Sequence, residues 1–424
     1  MGISRNYLYD QVELFNNAGS YTWSKPSNID DSKPILVHVW GAGGTGNDVY
    51  VNNPTEINSC GGGGGGLAVK EIAVSALGST ETITVGDGKL LPTAVGGTSS
   101  FGSHCSATGG NGGAYNTQNT SGTYNDATHV SPTVANPVAG TATDLGGRGT
   151  WRNNVQGASN TYYGQGGMGI GGDINRRGGW GGIGYYSTTD NNGGGGGGSA
   201  PAPYGWSHGY DGGIGYTYAG GGGGGIGQYG SKGDYEGGAG GGSARGVNLK
   251  SSSPTSYYTC NHGGTGVAGH GGTPMSSYHG YVGYGGDAGR KPYPGQGLCL
   301  IEPNQILLGG GGGGCTMEWV QSSGMNCHPS SHGGPGGGGG GIGCIAANTS
   351  SFPVGGMGGL LGGGGGSYQY GAGGNGGNAG GGGGCGYYAG ANTPHDMKGG
   401  TSSASYMWYG PGGDGLIIIQ YATK

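Results

Sequence analysis

The chain has 424 residues, of which 121 are glycine and 18 proline, and its formal net charge is −5. Only 9% of residues are charged, and 29 tyrosines and 7 tryptophans accompany them, the reverse of the charge-rich, aromatic-poor signature of disorder. This balance gives no basic footprint for nucleic acid and no run of 18 apolar residues to insert in a membrane, and eight cysteines are too dilute for a disulfide scaffold.

Residues 1–14 are expected to form a short N-terminal docking extension, with Tyr7, Tyr9 and Leu14 as its attachment candidates. They lack the apolar core of a secretory signal, and Asn6 stands where a myristoylation motif wants Ser or Thr. Residues 15–95 predict a small β base: Ser20 to Trp23, Ile35 to Trp40, Leu67 to Val74 and Glu81 to Val85 are alternating or β-rich. Residues 96–413 read as a glycine-rich body, and 414–424 as a closing strand built on Gly415 to Tyr421. The fold class is therefore mainly β and irregular, with almost no α-helix.

Along the chain, glycine comes in blocks. Five runs have six residues (61–66, 193–198, 220–225, 309–314, 336–341) and two have five (362–366, 380–384). Such runs bring no side chains to bury, and glycine weakens both helix and strand interiors. Collagen is excluded because the prolines lie outside the runs. What suits them is an extended threefold helix of the polyproline II shape, rising about 3.1 Å per residue with no internal hydrogen bonds. Since buried N–H and C=O groups need partners, such helices are stable only side by side, as a polyglycine II sandwich. Gly-Gly-Ile-Gly recurs at Ile183, Ile214, Ile226 and Ile342, which fits a large residue pointing outwards from an edge helix. Cys60, Cys315, Cys344 and Cys385 border the runs and read as small packing plugs in a reducing compartment.

Between the runs lie inserts rich in Tyr, Ser, Asn, Thr and Pro: 114–145, 150–163, 199–211, 246–262, 273–308, 316–333 and 387–410. This mixture is that of evolved recognition surfaces, where rings supply rigid contact area and small polar residues adaptable hydrogen bonds. The receptor-binding candidates are Trp151, Tyr204, Trp206, Tyr257, Tyr258, Trp319, Tyr387, Tyr388, Tyr406, Trp408 and Tyr409. The bland reading of any one ring is that it covers the side of the lattice.

Catalytic patterns are scarce. Gly205-Trp-Ser207-His-Gly209 matches a nucleophile elbow but lacks the strand before it and the helix after it. Cys327-His328 with His332, and Cys260 with His262, His270 and His279, have metal-ligating types without a metal-site spacing. Neither an enzyme activity nor a metal or cofactor is expected; carboxylates meeting in space to cleave glycans are the one catalytic alternative.

Phe15-Asn-Asn-Ala-Gly-Ser-Tyr-Thr-Trp23, Ile35-Leu-Val-His-Val-Trp40-Gly-Ala-Gly-Gly44, Gly66-Leu-Ala-Val69 with Thr82-Ile-Thr-Val-Gly86-Asp-Gly88, Gly96-Gly-Thr-Ser-Ser-Phe-Gly102 and Gly412-Gly-Asp-Gly-Leu-Ile-Ile-Ile-Gln-Tyr421 occur in this order. Together they resemble the glycine-rich domain of bacteriophage tail and tail-fibre proteins, over residues 15–421. The body is similar to the polyglycine-rich adhesins of T4-like long tail fibres. That resemblance implies a polyglycine II sandwich on a trimeric fibre, with variable loops that contact an outer-membrane protein or surface glycan. It also implies a virion protein, monomer or homotrimer, bound to a tail or tail-fibre protein at its proximal end. The rival reading is a structural subunit of a virion or extracellular fibre, assembled through lattice edges.

Overall fold

In a computed structural model, the residues described are 8–46, 61–88, 94–113, 164, 166–182, 193–199, 221–227, 229–230, 240–241, 275–278, 299–308, 316–319, 332–345, 354–367, 372–384 and 410–424. The chain is mainly β; the helical content of these residues is one short 3-10 turn at Val74–Ala76.

The strands are β1 (Gln11–Phe15), β2 (Gly19–Ser24), β3 (Ile35–Trp40), β4 (Leu67–Ile72), β5 (Thr80–Val85), β6 (Ser99–Phe101), β7 (Cys105–Ala107), β8 (Gly169–Ile170), β9 (Ile174–Arg176), β10 (Met275–Tyr278), β11 (Cys299–Glu302), β12 (Gln305–Leu308), β13 (Thr316–Trp319), β14 (Ile342–Ile345) and β15 (Leu416–Tyr421). Two antiparallel five-stranded sheets, β1-β15-β3-β4-β9 and β2-β5-β6-β7-β8, make a sandwich. Period-two alternation sorts their residues between faces. Ile35, Val37 and Val39 of β3 join Ala68, Ile72, Ile417, Ile419, Ile83, Val85, Phe101 and Trp23 in the core between the sheets. Trp23 packs edge-on against Phe101 and Tyr421, with ring centroids 5.8 and 6.2 Å apart, and its indole N–H donates to Glu13 at 3.0 Å.

At one end of this sandwich the strands run straight into glycine. The register row Leu67–Trp40–Leu416 marks that boundary, and beyond it the bonding period changes from two to three. Gly41 and Gly44 donate to Gly66 and Gly63, Ala42 and Thr45 to Gly97 and Ala94, and Gly43 and Gly46 to Gly413 and Gly410, all between 2.8 and 3.1 Å. The next run repeats the rule. Gly61 and Gly64 donate to Gly182 and Gly179, Gly62 and Gly65 to Gly382 and Ala379, and Gly63 and Gly66 to Asn111 and Thr108. In turn it accepts from Gly41 and Gly44, from Gly167 and from Gly197, so segments bond to it on every side. A helix that serves a new neighbour at each residue and returns to the first at every third is the threefold polyglycine helix, packed as a lattice. The approach is too close for a side chain: a Cβ at Gly64 would overlap the Gly198 carbonyl, and one at Gly196 the Gly381 carbonyl.

Non-glycine residues within the runs therefore stand at three-residue spacing, where a helix faces outwards. Val354, Met357 and Leu360 form one such row, with the first two exposed; Ala372, Asn375 and Asn378 form the row beside it. The two rows are tied by Gly355→Ala372, Gly358→Asn375 and Leu361→Asn378 bonds.

Three two-residue turns reverse the lattice at its base-facing end, closed by 2.7 Å bonds from Gly337 to Gly334, Gly362 to Gly359 and Gly380 to Gly377. Each has positive φ at its second central residue: 84° at Gly336, 67° at Leu361 and 60° at Ala379. Leu and Ala there bear a strain of about 1–3 kcal/mol, and their burial accounts for it. Leu361 and Ala379 pack with Ile226 and with Ile306 of the β11-β12 hairpin onto Trp40, Leu67, Val69, Leu416 and Ile418, the outer face of the first sheet. This second core fastens the lattice to the base.

Several boundaries differ from the sequence expectation. Residues 8–14 are not a free extension. β1 pairs with β15 along Gln11–Phe15, Tyr9 is buried, and its backbone exchanges two hydrogen bonds with the Asn304 side chain at 2.9 and 2.5 Å. Leu14 lies on β1 and is 45% exposed, while Tyr7 falls outside the described residues. Nor does the base end at residue 95, since β6 to β9 complete both sheets from within the glycine-rich body; these strands of two or three residues are too short to show alternation. Ile226 is buried in the second core instead of pointing outwards. Cys60, Cys315 and Cys385 lie outside the described residues; Cys105 and Cys299 are free thiols.

Candidate functional site: the far end of the lattice

The direction of each run follows from its bonds. Trp40, Leu67 and Leu416 mark the base end, so Gly46, Gly61 and Gly410 lie at the far end. Gly46 donates to Gly410 at 2.9 Å and Gly61 to Gly182 at 2.9 Å; Gly113 donates to Thr45 at 2.8 Å, Gly164 to Gly112 at 3.0 Å and Gly384 to Gly194 at 2.8 Å. Segments 47–60, 114–163, 183–192 and 385–409 thus leave the lattice and rejoin it at the end opposite the base.

That placement covers many of the recognition candidates. Trp151 falls in 114–163, and Tyr387, Tyr388, Tyr406, Trp408 and Tyr409 fall in 385–409; all six lie outside the described residues. So do Tyr204, Trp206, Tyr257 and Tyr258. The first two are flanked by Ser199 at the base end, which donates to Leu361 at 2.9 Å, and by Gly221 at the far end, which donates to Gly193 at 3.0 Å.

Trp319 is the one ring of the set with a described backbone. It ends β13, the middle strand of a parallel three-stranded sheet, β10-β13-β14. β14 begins at Ile342, directly after the run 336–341 whose base-end turn is Pro335-Gly336, so this sheet continues the lattice beyond its far end. The register aligns Met275–Thr316–Ile342 nearest the lattice and Tyr278–Trp319–Ile345 farthest from it. Tyr278 was not among the candidates. Its signal is weak, but β13 and β14 both follow glycine runs almost immediately, which marks a change from threefold helix to strand.

Charge is distributed the opposite way. Among the described residues, the charged groups nearest the glycine runs, Asp87, Arg177 and Asp414, stand at the junction with the base, and the end of the base away from the lattice is lined with others. There Asp10 accepts from the Thr423 N–H and hydroxyl at 3.0 and 2.8 Å, and Lys424 pairs with Asp31 at 2.8 Å and Lys33 with Asp30 at 3.4 Å. The Ser32 hydroxyl and N–H hold the Asp30 carboxyl below its usual range. At the junction, Asp414 accepts from the Ala18 and Gly88 N–H groups at 3.2 and 2.9 Å, tying the β1-β2 turn to the lattice.

The remaining chemistry of the described residues is structural. His104 lies 3.4 Å from Glu81 beside the β6-β7 turn. Burial pushes the Cys105 thiol up to about 12, far from a reactive thiolate. No cluster of three or more His, Cys, Asp or Glu that could hold a metal occurs among the described residues, and none of their helices is long and apolar enough to cross a membrane. Compared with known proteins, the chain matches no family model, no curated protein and no solved structure.

Proposed function

We propose that this chain is a receptor-binding adhesin at the tip of a bacteriophage tail or tail fibre, acting by contact and not by catalysis. One observation carries the reading: the molecule is polar end to end. Leu8, Asp10, Asp31 and Lys424 lie at the outer end of the base, while the segments that carry Trp151 and Tyr387 to Tyr409 attach at the opposite end of a backbone-bonded lattice. A body anchored at the first end presents the second, and loops on a rigid scaffold are where binding concentrates. Anchoring is read here onto the outer end of the base, with Leu8 exposed beside it, in place of a free segment 1–14. The host surface partner is a protein or glycan.

The rival reading, a fibre subunit joined through lattice edges, needs backbones to approach edge to edge. At the described edge, Val354, Met357, Leu360, Asn375 and Asn378 stand in the way with a side chain at every third residue. Binding of the purified chain to intact bacteria tests the proposal. Saturable binding that blocks phage adsorption to the same cells is expected; a chain that binds no phage-susceptible strain, or that polymerises with rising concentration, overturns it.

A further inference from the structure

The two long sides of the sandwich are finished differently. On one, β8 and β9 are the end strands, and backbone contacts at the Met168–Arg177 bridge and from Gly178 to Gly167 close the sheets onto each other. On the other, the end strands β1 and β2 meet through side chains: the Trp23 indole donates to Glu13 at 3.0 Å, and the Phe15 and Tyr21 rings lie 5.5 Å apart. Bonding along β3 fixes which backbone groups of β1 are free. Gly41 donates to Gly66, so Ile35, Val37 and Val39 form the hydrogen-bonded pairs with β4, and alternation gives Leu36, His38 and Trp40 to β15. Ile417, Ile419 and Tyr421 then serve Phe15, Glu13 and Gln11. The N–H and C=O groups of Val12 and Leu14 are left pointing out of the sheet, with no paired strand beyond them among the described residues. We propose that this edge takes up an extended, basic segment of the tail or tail-fibre protein as a sixth strand, an inference that rests on the anchoring end read above.

Length decides for a segment over a folded surface. The five residues of β1 span ~17 Å, room for one extended strand held by backbone bonds and far short of the ~800 Å² per side that two folded surfaces need. Parity excludes a second copy of β1. An antiparallel twofold pairing that uses the outward groups of both Val12 and Leu14 is centred on Glu13. It sets the two Glu13 residues opposite each other as a non-hydrogen-bonded pair, Cα atoms ~4.5 Å apart, where like charges repel. Charge then names the partner. Asp10 and Glu13 are the ionic residues of 8–24, which hold no Lys or Arg, so the incoming strand gains most from Lys or Arg opposite Glu13. The stem of that side chain can cover the half-buried Phe15 and Tyr21 rings. Leu14 is exposed and shares the outer face with Val12, which favours apolar residues on either side of the cation.

The test measures binding of the full chain to two fluorescein-labelled peptides, Thr-Thr-Val-Lys-Val-Thr-Thr and its counterpart with Glu for Lys, by fluorescence anisotropy. Wild type is expected to bind the Lys peptide about tenfold more tightly, and Glu13→Gln to erase most of that preference. Leu14→Pro removes an outward N–H that β15 does not use, a change edge strands tolerate; it should melt like wild type and lose the Lys peptide. Should Leu14→Pro fail to fold, the Glu13→Gln comparison decides the same point. Equal affinity for the two peptides, or a folded Leu14→Pro chain that binds like wild type, overturns the proposal. So does a dimer in sedimentation that Leu14→Pro dissociates, which would give the edge to a second copy. Cell binding is read separately: a chain that takes the Lys peptide but binds no phage-susceptible strain removes the adhesin reading and leaves the strand-accepting edge without its named partner.

Discussion

The base and the lattice answer the same requirement, burial without unpaired polar groups, in opposite ways. In the base, strands satisfy the backbone and side chains fill the space between sheets, so stability resides in residues such as Trp23, Phe101 and Ile417. In the lattice the backbone fills the space and satisfies itself, and stability resides in the absence of side chains. Substitutions should therefore have opposite size dependence on the two sides of the row Leu67–Trp40–Leu416. In the base, loss of volume is harmful; in the lattice, gain of volume is.

The largest effect is expected in the lattice. Gly64→Ala adds one carbon, but that carbon coincides with the Gly198 carbonyl and no rotamer can move it. Neighbouring helices would have to part and give up hydrogen bonds such as Gly179→Gly198 at 2.7 Å. We expect a loss above about 4–5 kcal/mol, read as insoluble protein or a lost cooperative melt. A Gly64→Ala chain melting within a few degrees of wild type would end the lattice account.

A smaller effect of the opposite kind is expected in the base. Ile417 is fully buried in the middle strand β15 between β1 and β3, and Ile417→Ala should cost about 2–5 kcal/mol through lost burial and a residual cavity. Chemical denaturation measures it. If Ile417→Ala proves as damaging as Gly64→Ala, the two regions unfold as one and the contrast concerns local geometry alone.

How much of this was legible follows from the same contrast. Side-chain patterns announced the principal base strands: Ile35 to Trp40 and Gly415 to Tyr421 read as strands because each is a long β-rich run. Glycine density announced the lattice, because nothing but backbone bonding makes six successive glycines order. The row spacing was legible too and was missed. Val354-Gly-Gly-Met357-Gly-Gly-Leu360 and Ala372-Gly-Gly-Asn375-Gly-Gly-Asn378 spell the threefold period in the sequence. β8 and β9 gave no signal, since two or three residues cannot show alternation and their strand character comes from pairing with β7 and β4. At the far end, the alignment of Tyr278 with Trp319 arises from register between segments forty residues apart, which no local pattern encodes.

The joint between the two regions supplies the finest test. His38 sits on the outer face of β3, between Ile418 and Val69 in register, and its ring lies perpendicular to Trp40 at 5.8 Å. It is 1% exposed, neither ring nitrogen has a hydrogen-bond partner, and burial depresses its pKa to about 3. Because the folded pKa lies below the unfolded value near 6.5, the unfolded chain binds the extra proton first, and stability falls as pH drops below about 6.5. Between pH 8 and pH 5 that linkage amounts to about 2 kcal/mol. His38→Leu should flatten the dependence across this window and raise stability at pH 5. The charge enters the apolar core that holds Leu361 and Ala379 against the sheet, so amide exchange at low pH should rise first in the turns around these residues while the β2-β5 pairing stays protected. Uniform loss of protection would mean that the second core is no weaker a joint than the first.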